Sequence, residues 1–302
     1  MRDESFDPTG PYEVEHEDLV YARPQGLALE ARLYRPQGAG PGPRPAFVDV
    51  HGGAWSHFDR LADAHFDRAL AASGAVVLAL DFRQGAEHRW PASVCDVLAG
   101  VRFLRAHAAE FEVSEQQIGL VGGSSGGHLC LVAALCPETA AFLGTPVEGA
   151  DAMSISARTA FVLALWPIAD PLARYRYLEP LLSESDEERG PAFRPDLLRS
   201  SQQGHFGDEA NMERASVVRI LREKEFQVLP PIWVAHPELD RNVTLEMSQA
   251  LVDAYRAAGG PAELEVFPKV GHGFANFPGP AAAPCIARMR AVTSSWLEAQ
   301  SR

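Results

Sequence analysis

The chain has 302 residues, 46% of them hydrophobic, enough to bury a substantial core in one large domain carrying an insertion. Its 27 basic and 40 acidic side chains leave a net charge of −13, which argues against nucleic acid or an anionic membrane surface and favours neutral or cationic small molecules. The stretch MRDESFDPTGPYEVEHEDL has no apolar h-region, and no apolar run is long enough to span a bilayer, so a cytoplasmic location without a membrane span is expected.

Alternating segments at 13–22 and 27–34 read as strands, and the turn-rich stretch 36–45 as a hairpin and then a surface loop, suited to an antiparallel sheet edge. Short apolar runs at 46–50, 75–80, 117–121, 160–166, 232–235 and 263–267 have the composition of strands buried on both faces. Helical patterns at 60–73, 90–111, 126–135, 244–258 and 281–299 lie between and after them. Strand, crossover helix, strand is the signature of an α/β fold, here a mainly parallel, doubly wound sheet flanked by helices.

One stretch breaks the alternation. Segment 170–228 is rich in charge and turn formers (SESDEERGPAFRPD), lacks a convincing buried strand and carries a helical pattern at 211–224. A long strandless excursion between sheet strands is often a lid, so 170–228 is read as a cap on a core formed by 1–169 and 229–302. Its aromatic residues Tyr175, Tyr177, Phe193 and Phe206 are candidates to line a pocket. Cys95, Cys130, Cys136 and Cys285 show neither CxxC pairing nor clustering with histidine, so they read as reduced small apolar residues, and no metal site is expected.

The strongest chemical signal is IGLVGGSSGGHL at 118–129: an apolar strand, a glycine-flanked serine, then a helix. Lifting a serine hydroxyl clear of a sheet requires a sharp turn, and only small residues two positions either side let strand and helix approach that closely. G-x-S-x-G fits twice, with Ser124 or Ser125 at its centre. Ser124 is preferred, because Gly122 then directly follows the strand and the Ser125 N–H faces the developing oxyanion. A phosphate-cradling turn would need a GK[ST] ending or GxGxxG spacing, and neither is present.

A second signal is DVHGGAW at 49–55, directly after a buried strand. Its glycines can turn two backbone N–H groups toward one point, making Gly52 and Gly53 candidate oxyanion donors; His51 more often shapes such a loop than acts as a base. Ala54, Trp55 and Phe274 are candidate substrate-binding residues. A nucleophile also needs a base and an orienting acid. VFPKVGHGF at 266–274 supplies His272 between glycines, and IWVAHPELD at 232–240 supplies Asp240, with Glu238 as the fallback acid. The order serine, aspartate, histidine agrees with α/β-hydrolases and not with the two serine-protease orders.

These motifs together resemble the hormone-sensitive-lipase-like carboxylesterases of the α/β-hydrolase superfamily: HGGAW resembles their HGGG loop, GGSSGGHL their GDSAGG elbow, and DFRQGAEHRWPA at 81–92 their DYRLAPEHPFPAA segment. The resemblance covers about 46–275, with the insertion poorly matched. It implies Ser124, Asp240 and His272 as the triad and the N–H groups of Gly52, Gly53 and Ser125 as oxyanion donors. It also implies that Asp81, Arg83 and Asp96 make structural polar contacts. The expected reaction is hydrolysis of a small-molecule carboxylic ester without metal or organic cofactor. Two departures stand out: Ala54 replaces the last glycine of HGGG, and Gly123 replaces the acidic residue before the nucleophile. With Trp55 after Ala54, the loop is also similar to the HGGxW loop of arylformamidases and small esterases, which keeps amide hydrolysis open as an alternative. A non-catalytic hydrolase-fold binding protein is disfavoured because all three triad members are present, and a homodimer through an exposed sheet edge is compatible with the fold.

Overall fold

The computed structural model describes residues 6–40, 42–151, 154–185, 187 and 193–300. Eight strands form one sheet in the order β1-β2-β4-β3-β5-β6-β7-β8. β1 (Glu13–Ala22) and β2 (Leu29–Gln37) form an antiparallel hairpin at one edge, and β2 continues antiparallel to β4 (Val76–Leu80). From β4 onward every pairing is parallel, through β3 (Arg44–Val50), β5 (Val113–Gly123), β6 (Val162–Leu165), β7 (Ile232–Pro237) and β8 (Ala262–Phe267). Every residue of β3, β4, β6 and β7 is buried, as the near-continuous apolar runs require of strands covered on both faces.

The period-2 alternation splits the core between the two faces. Ala46, Val48 and Val50 pack with Val94, Val97 and Leu98 of α2 (Ala92–Ala106), Leu129 of α3 (Ser125–Leu135) and Leu251 of the helix following β7. Phe47, Val121, Leu163 and Trp233 pack on the opposite side against Phe66 and Leu70 of α1 (Ala64–Ala71) and Met289 of the C-terminal helix. All eleven residues of α3 are buried, so it is enclosed on every side rather than amphipathic, and Ser125 and His128 are its polar side chains.

Segment 170–228 contains α4 (Pro171–Leu181), α5 (Pro195–Phe206), α6 (Glu209–Arg214) and α7 (Val217–Arg222), and no strand among its described residues. The pattern expected as one helix over 211–224 belongs to two. Ser216 adopts extended dihedrals and its hydroxyl accepts the Arg219 N–H at 3.2 Å, ending one helix and capping the next. α8 (Leu245–Ala257) and α9 (Ala282–Gln300) complete the fold.

Three carboxyl groups lie within the α1 side of the core: Asp49 of β3 is 1% exposed, Asp63 1% and Asp67 0%. No ion pair among the described residues involves them, and neither carboxyl oxygen of Asp67 is hydrogen-bonded. Burial, reinforced by repulsion from Asp67 and Asp63, pushes Asp49 well up; burial and Asp63 do the same to Asp67; burial raises Asp63 to about 7. These groups hold protons in the folded chain that the unfolded chain has released above the ordinary carboxylate range. Their contribution is therefore complete at acid pH and declines as pH rises from about 4 through 7 and beyond. Thermal unfolding should show a lower midpoint at pH 8 than at pH 5, and Asp63→Asn should flatten that slope; a midpoint rising steadily to pH 8 would contradict the assignment.

Candidate active site

Parallel strands of an open α/β sheet present their carboxyl ends on one edge, and connecting loops meet there. Five such loops converge in this chain: 51–58 after β3, the turn after β5, Trp166 after β6, 238–243 after β7 and 268–277 after β8.

Ser124 sits between β5 and α3 with φ 55° and ψ −118°, a strained backbone for a residue with a Cβ. The surrounding packing imposes it. A Cβ at Gly126 would overlap the Val50 carbonyl, and one at Gly122 would lie 2.6 Å from the same oxygen. This contact distinguishes the two G-x-S-x-G frames, because the glycines that admit no side chain here flank Ser124. Ser125 is instead the first residue of α3, 1% exposed, with its hydroxyl buried and unpartnered.

Three side chains from distant segments form a line. The Ser124 hydroxyl lies 2.8 Å from His272 Nε2, and His272 Nδ1 lies 2.7 Å from Asp240 Oδ2. The other carboxylate oxygen of Asp240 accepts the N–H groups of Asn242 at 2.7 Å and Val243 at 3.0 Å. Burial alone would raise this carboxyl, but His272 and the two backbone donors more than compensate and hold it below its usual range, so it is anionic at neutral pH. Glu238 is exposed and accepts the Lys269 N–H at 2.8 Å, away from the line.

The loop 238–243 has a support that its local sequence does not announce. Arg174 of α4, 0% exposed, donates from Nε to Asn242 Oδ1 at 2.9 Å and from Nη1 to Gln202 Oε1 of α5 at 2.8 Å, with a further bond to Asn242 from Nη2. Burial lowers this guanidinium to about 9, still cationic at neutral pH. The only sequence hint is its spacing on α4, where it shares a helix face with the buried Pro171 and Leu178.

Gly52 and Gly53 border the cavity beside Ser124, and neither amide donates a hydrogen bond among the described residues. The Ser125 N–H opens α3, where the first turn leaves amides without intrahelical partners. His51 is 1% exposed, bonds the Gly52 carbonyl through Nδ1 at 2.8 Å and stacks on Phe82, and so shapes the loop. Asp96 is 0% exposed and paired with Arg83 at 2.8 Å, while Asp81 meets Arg60 at 2.6 Å, both structural contacts.

A cavity of about 640 Å³ opens above Ser124. Ala54 lines it, as do Phe58, Trp166, Phe193, Leu197, Leu198 and Leu239, with Arg194, Arg241, Asn242 and Asn276 adding polarity. Two expected pocket residues are corrected. Trp55 is 0% exposed and points into the core, because Gly53, Ala54 and Trp55 all take positive φ and turn the indole away from the cavity. Phe274 packs on Trp166 and Phe267, at centroid distances of 5.1 and 5.3 Å, one layer behind the lining. Of the four aromatic candidates of 170–228, Phe193 alone lines the cavity; Phe206 is in the core, Tyr175 packs under the Arg199 guanidinium at 3.9 Å, and the Tyr177 hydroxyl donates to the Arg241 carbonyl. Trp166, Leu197 and Leu239 carry no motif that distinguishes them from core residues.

No group of three or more histidine, cysteine, aspartate or glutamate side chains suited to a metal ion occurs among the described residues, and no helix there is long and apolar enough to cross a membrane.

Among curated proteins, the chain is 27% identical to Esterase LipC of Mycobacterium tuberculosis over 77% of its length and 53% of LipC. It is 24% identical to Esterase LipQ of the same organism, over 82% of this chain and 54% of LipQ. It thus spans about half the length of these relatives. Among solved structures, esterase 2 of Thermogutta terrifontis, captured phosphoramylated by tabun, superposes with a TM-score of 0.70 at 26% identity, covering 92% of both chains. A hyperthermophilic esterase from Pyrobaculum calidifontis superposes with a TM-score of 0.74 at 23% identity, covering 95% of this chain and 85% of that one. The architecture is the α/β-hydrolase fold, and because the BD-FAE family model matches residues 32–255, about three quarters of the sequence, the chain belongs to the BD-FAE family.

Proposed function

We propose that this chain is a serine hydrolase that cleaves carboxylic esters of small to medium, neutral substrates through an acyl-enzyme on Ser124. The observation that carries the proposal is the unbroken hydrogen-bonded line from the Ser124 hydroxyl through His272 to Asp240, at 2.8 and 2.7 Å, on the floor of an apolar cavity. The esterase names of LipC, LipQ and the Thermogutta terrifontis protein support the same reading.

In this mechanism His272 Nε2 takes the hydroxyl proton as Ser124 Oγ bonds to the ester carbonyl carbon. Asp240 holds the imidazole with its Nδ1 proton inward and stabilises the imidazolium that forms. The carbonyl oxygen, now anionic, rests on the N–H groups of Gly52, Gly53 and Ser125. Collapse expels the alcohol, which receives the proton from His272. Water then attacks the acyl-enzyme by the same route, giving the carboxylic acid and free Ser124. Every role has a side chain or a backbone group, so no cofactor is required.

Segment 170–228 serves as a lid, on the support of Phe193, Leu197, Leu198 and Ser201 lining the cavity mouth. We place the protein in the cytosol, in keeping with four cysteines that are all free and buried. β8 ends the sheet and offers an edge for a homodimer.

A fluorophosphonate probe should label one serine, and Ser124→Ala should abolish both labelling and p-nitrophenyl ester turnover, the latter by roughly 10⁴-fold or more. Ser125→Ala keeps its backbone N–H and should retain most activity; the reverse outcome would assign the nucleophile to Ser125. Asp240→Asn should lower kcat by up to about 10⁴-fold, whereas Glu238→Gln should change it little.

The lining predicts selectivity as well. Enlarging the mouth by Leu197→Ala or Phe193→Ala should shift the acyl-chain optimum in a p-nitrophenyl ester series, with each methylene altering kcat/KM by roughly 10–200-fold at most. An unchanged profile in both variants would remove the lid from substrate selection, and faster turnover of N-formylkynurenine than of p-nitrophenyl acetate would reassign the enzyme to amide hydrolysis.

A further inference from the structure

The HGG loop does not hold its shape by its own hydrogen bonds alone. Gly53, Ala54 and Trp55 have φ of 101°, 51° and 56°, three consecutive left-handed residues of which two carry side chains. Such a run persists only where its surroundings over-determine it. Within the loop, the Ser56 and His57 N–H groups both donate to the Gly53 carbonyl at 3.0 Å, and the Gly85 N–H donates to the Trp55 carbonyl at 2.7 Å. From outside, the Gln84 amide donates to the Phe58 carbonyl at 2.9 Å and Ser201 meets Ser56 and His57, while the Trp55 side chain anchors the loop from within the core, fully buried away from the cavity.

That indole is gripped by two other parts of the chain. It lies parallel to His205 at a centroid distance of 5.9 Å and meets Phe206 edge-on at 5.0 Å, both at the end of α5. Its N–H donates to His128 Nδ1 at 3.2 Å, and His128 Nε2 lies 2.9 Å from the Ala215 carbonyl, between α6 and α7. An indole nitrogen can only donate and a carbonyl can only accept, so the His128 proton resides on Nε2 and the ring is neutral. Burial keeps it so, holding His128 down to about 4 and His205 to about 3. His128 is also tied to the elbow, since its N–H donates to the Ser124 carbonyl at 3.1 Å.

We propose that Trp55 and His128 are positioning residues for the oxyanion amides: a relay runs from the HGG loop, through the helix that follows the nucleophile, to the backbone of the insertion, and keeps Gly52 and Gly53 aimed beside Ser124. The proposal rests on the hydrolase reading above and extends it. It gives the insertion a part in turnover as well as in selecting substrates, because His205, Phe206 and Ala215 all belong to 170–228. It also accounts for a histidine inside a fully buried helix whose remaining side chains, Ser125 apart, are apolar.

The test separates turnover from binding. Trp55→Phe keeps a ring against His205 and Phe206 but loses the donor; His128→Leu loses both relay bonds; His128→Gln keeps an amide able to accept from the indole and donate to Ala215. With p-nitrophenyl butyrate as substrate, kcat is expressed per serine titrated to completion with a fluorophosphonate, so that unfolded chains are not counted. Trp55→Phe and His128→Leu should each lower kcat about 10–100-fold with KM within about twofold, the signature of a weakened oxyanion site. The double variant should lose little more than either single one, since both break one relay, and His128→Gln should recover part of the loss. Wild-type kcat in titrated Trp55→Phe or His128→Leu, or fully additive losses in the double variant, would overturn the proposal. Should Trp55→Phe not fold, the two His128 variants carry the comparison. If the wild-type chain takes no label at Ser124, it is the hydrolase reading that fails, a result distinct from any of these.

Discussion

The close approach of the Val50 carbonyl to the turn between β5 and α3 is the constraint on which the site's geometry depends. It leaves no volume for a Cβ at Gly122 or Gly126, and so forces strand and helix together around one intervening serine. Ser124 then has no room for relaxed dihedrals and takes φ 55°. The strain has a directional result: the hydroxyl is raised from the sheet edge toward the imidazole of His272, while the next residue starts a helix whose first amides lack intrahelical partners. One turn further along, the same helix delivers His128 to the indole of Trp55.

Burial of charge is handled in opposite ways at the site and beside it. Asp240 is out of water, yet two backbone N–H groups and His272 give the anion more than burial takes away. Asp96 pairs with Arg83 and accepts the Thr145 hydroxyl. Asp49, Asp63 and Asp67 have no such partners among the described residues, and remaining protonated is the less costly state for a carboxyl in that environment. The contrast follows from what faces each group. Asp240 sits on a loop whose amides are free to turn toward it, whereas Asp49 is locked in a central strand whose backbone groups are occupied by the sheet ladder.

The insertion is joined to the core by polar contacts as well as apolar ones. Arg174 reaches from α4 to Asn242, the neighbour that also donates to Asp240, and Ala215 accepts from His128. The second contact is buried and the first partly so, and where water is excluded a severed hydrogen bond leaves an uncompensated donor or acceptor. The segment is therefore tied mechanically to the sheet and its loops even though its described residues contribute no strand.

The sequence by itself determined most of the sheet and the loops that meet at its carboxyl edge. Strands buried on both faces are largely apolar, so the runs within β3 to β7 were legible, whereas 263–267 became the partly exposed edge strand β8, and the order of serine, aspartate and histidine, each after a strand, pointed to the carboxyl edge. Other features were decided only by the folded chain. Both G-x-S-x-G frames are equal as strings, and contact with Val50, 72 to 76 positions away in the chain, separates them. Trp55, Phe206 and Phe274 look like pocket residues by type and position, yet an aromatic ring packs equally well against core or cavity, and the local φ angles and neighbouring rings set its direction. Arg174 carries no motif and His128 no role that its motif assigns, because their partners come from segments that only the closed fold brings within hydrogen-bonding distance. Local pattern fixes which face of an element is apolar; what lies against that face is a property of the tertiary structure.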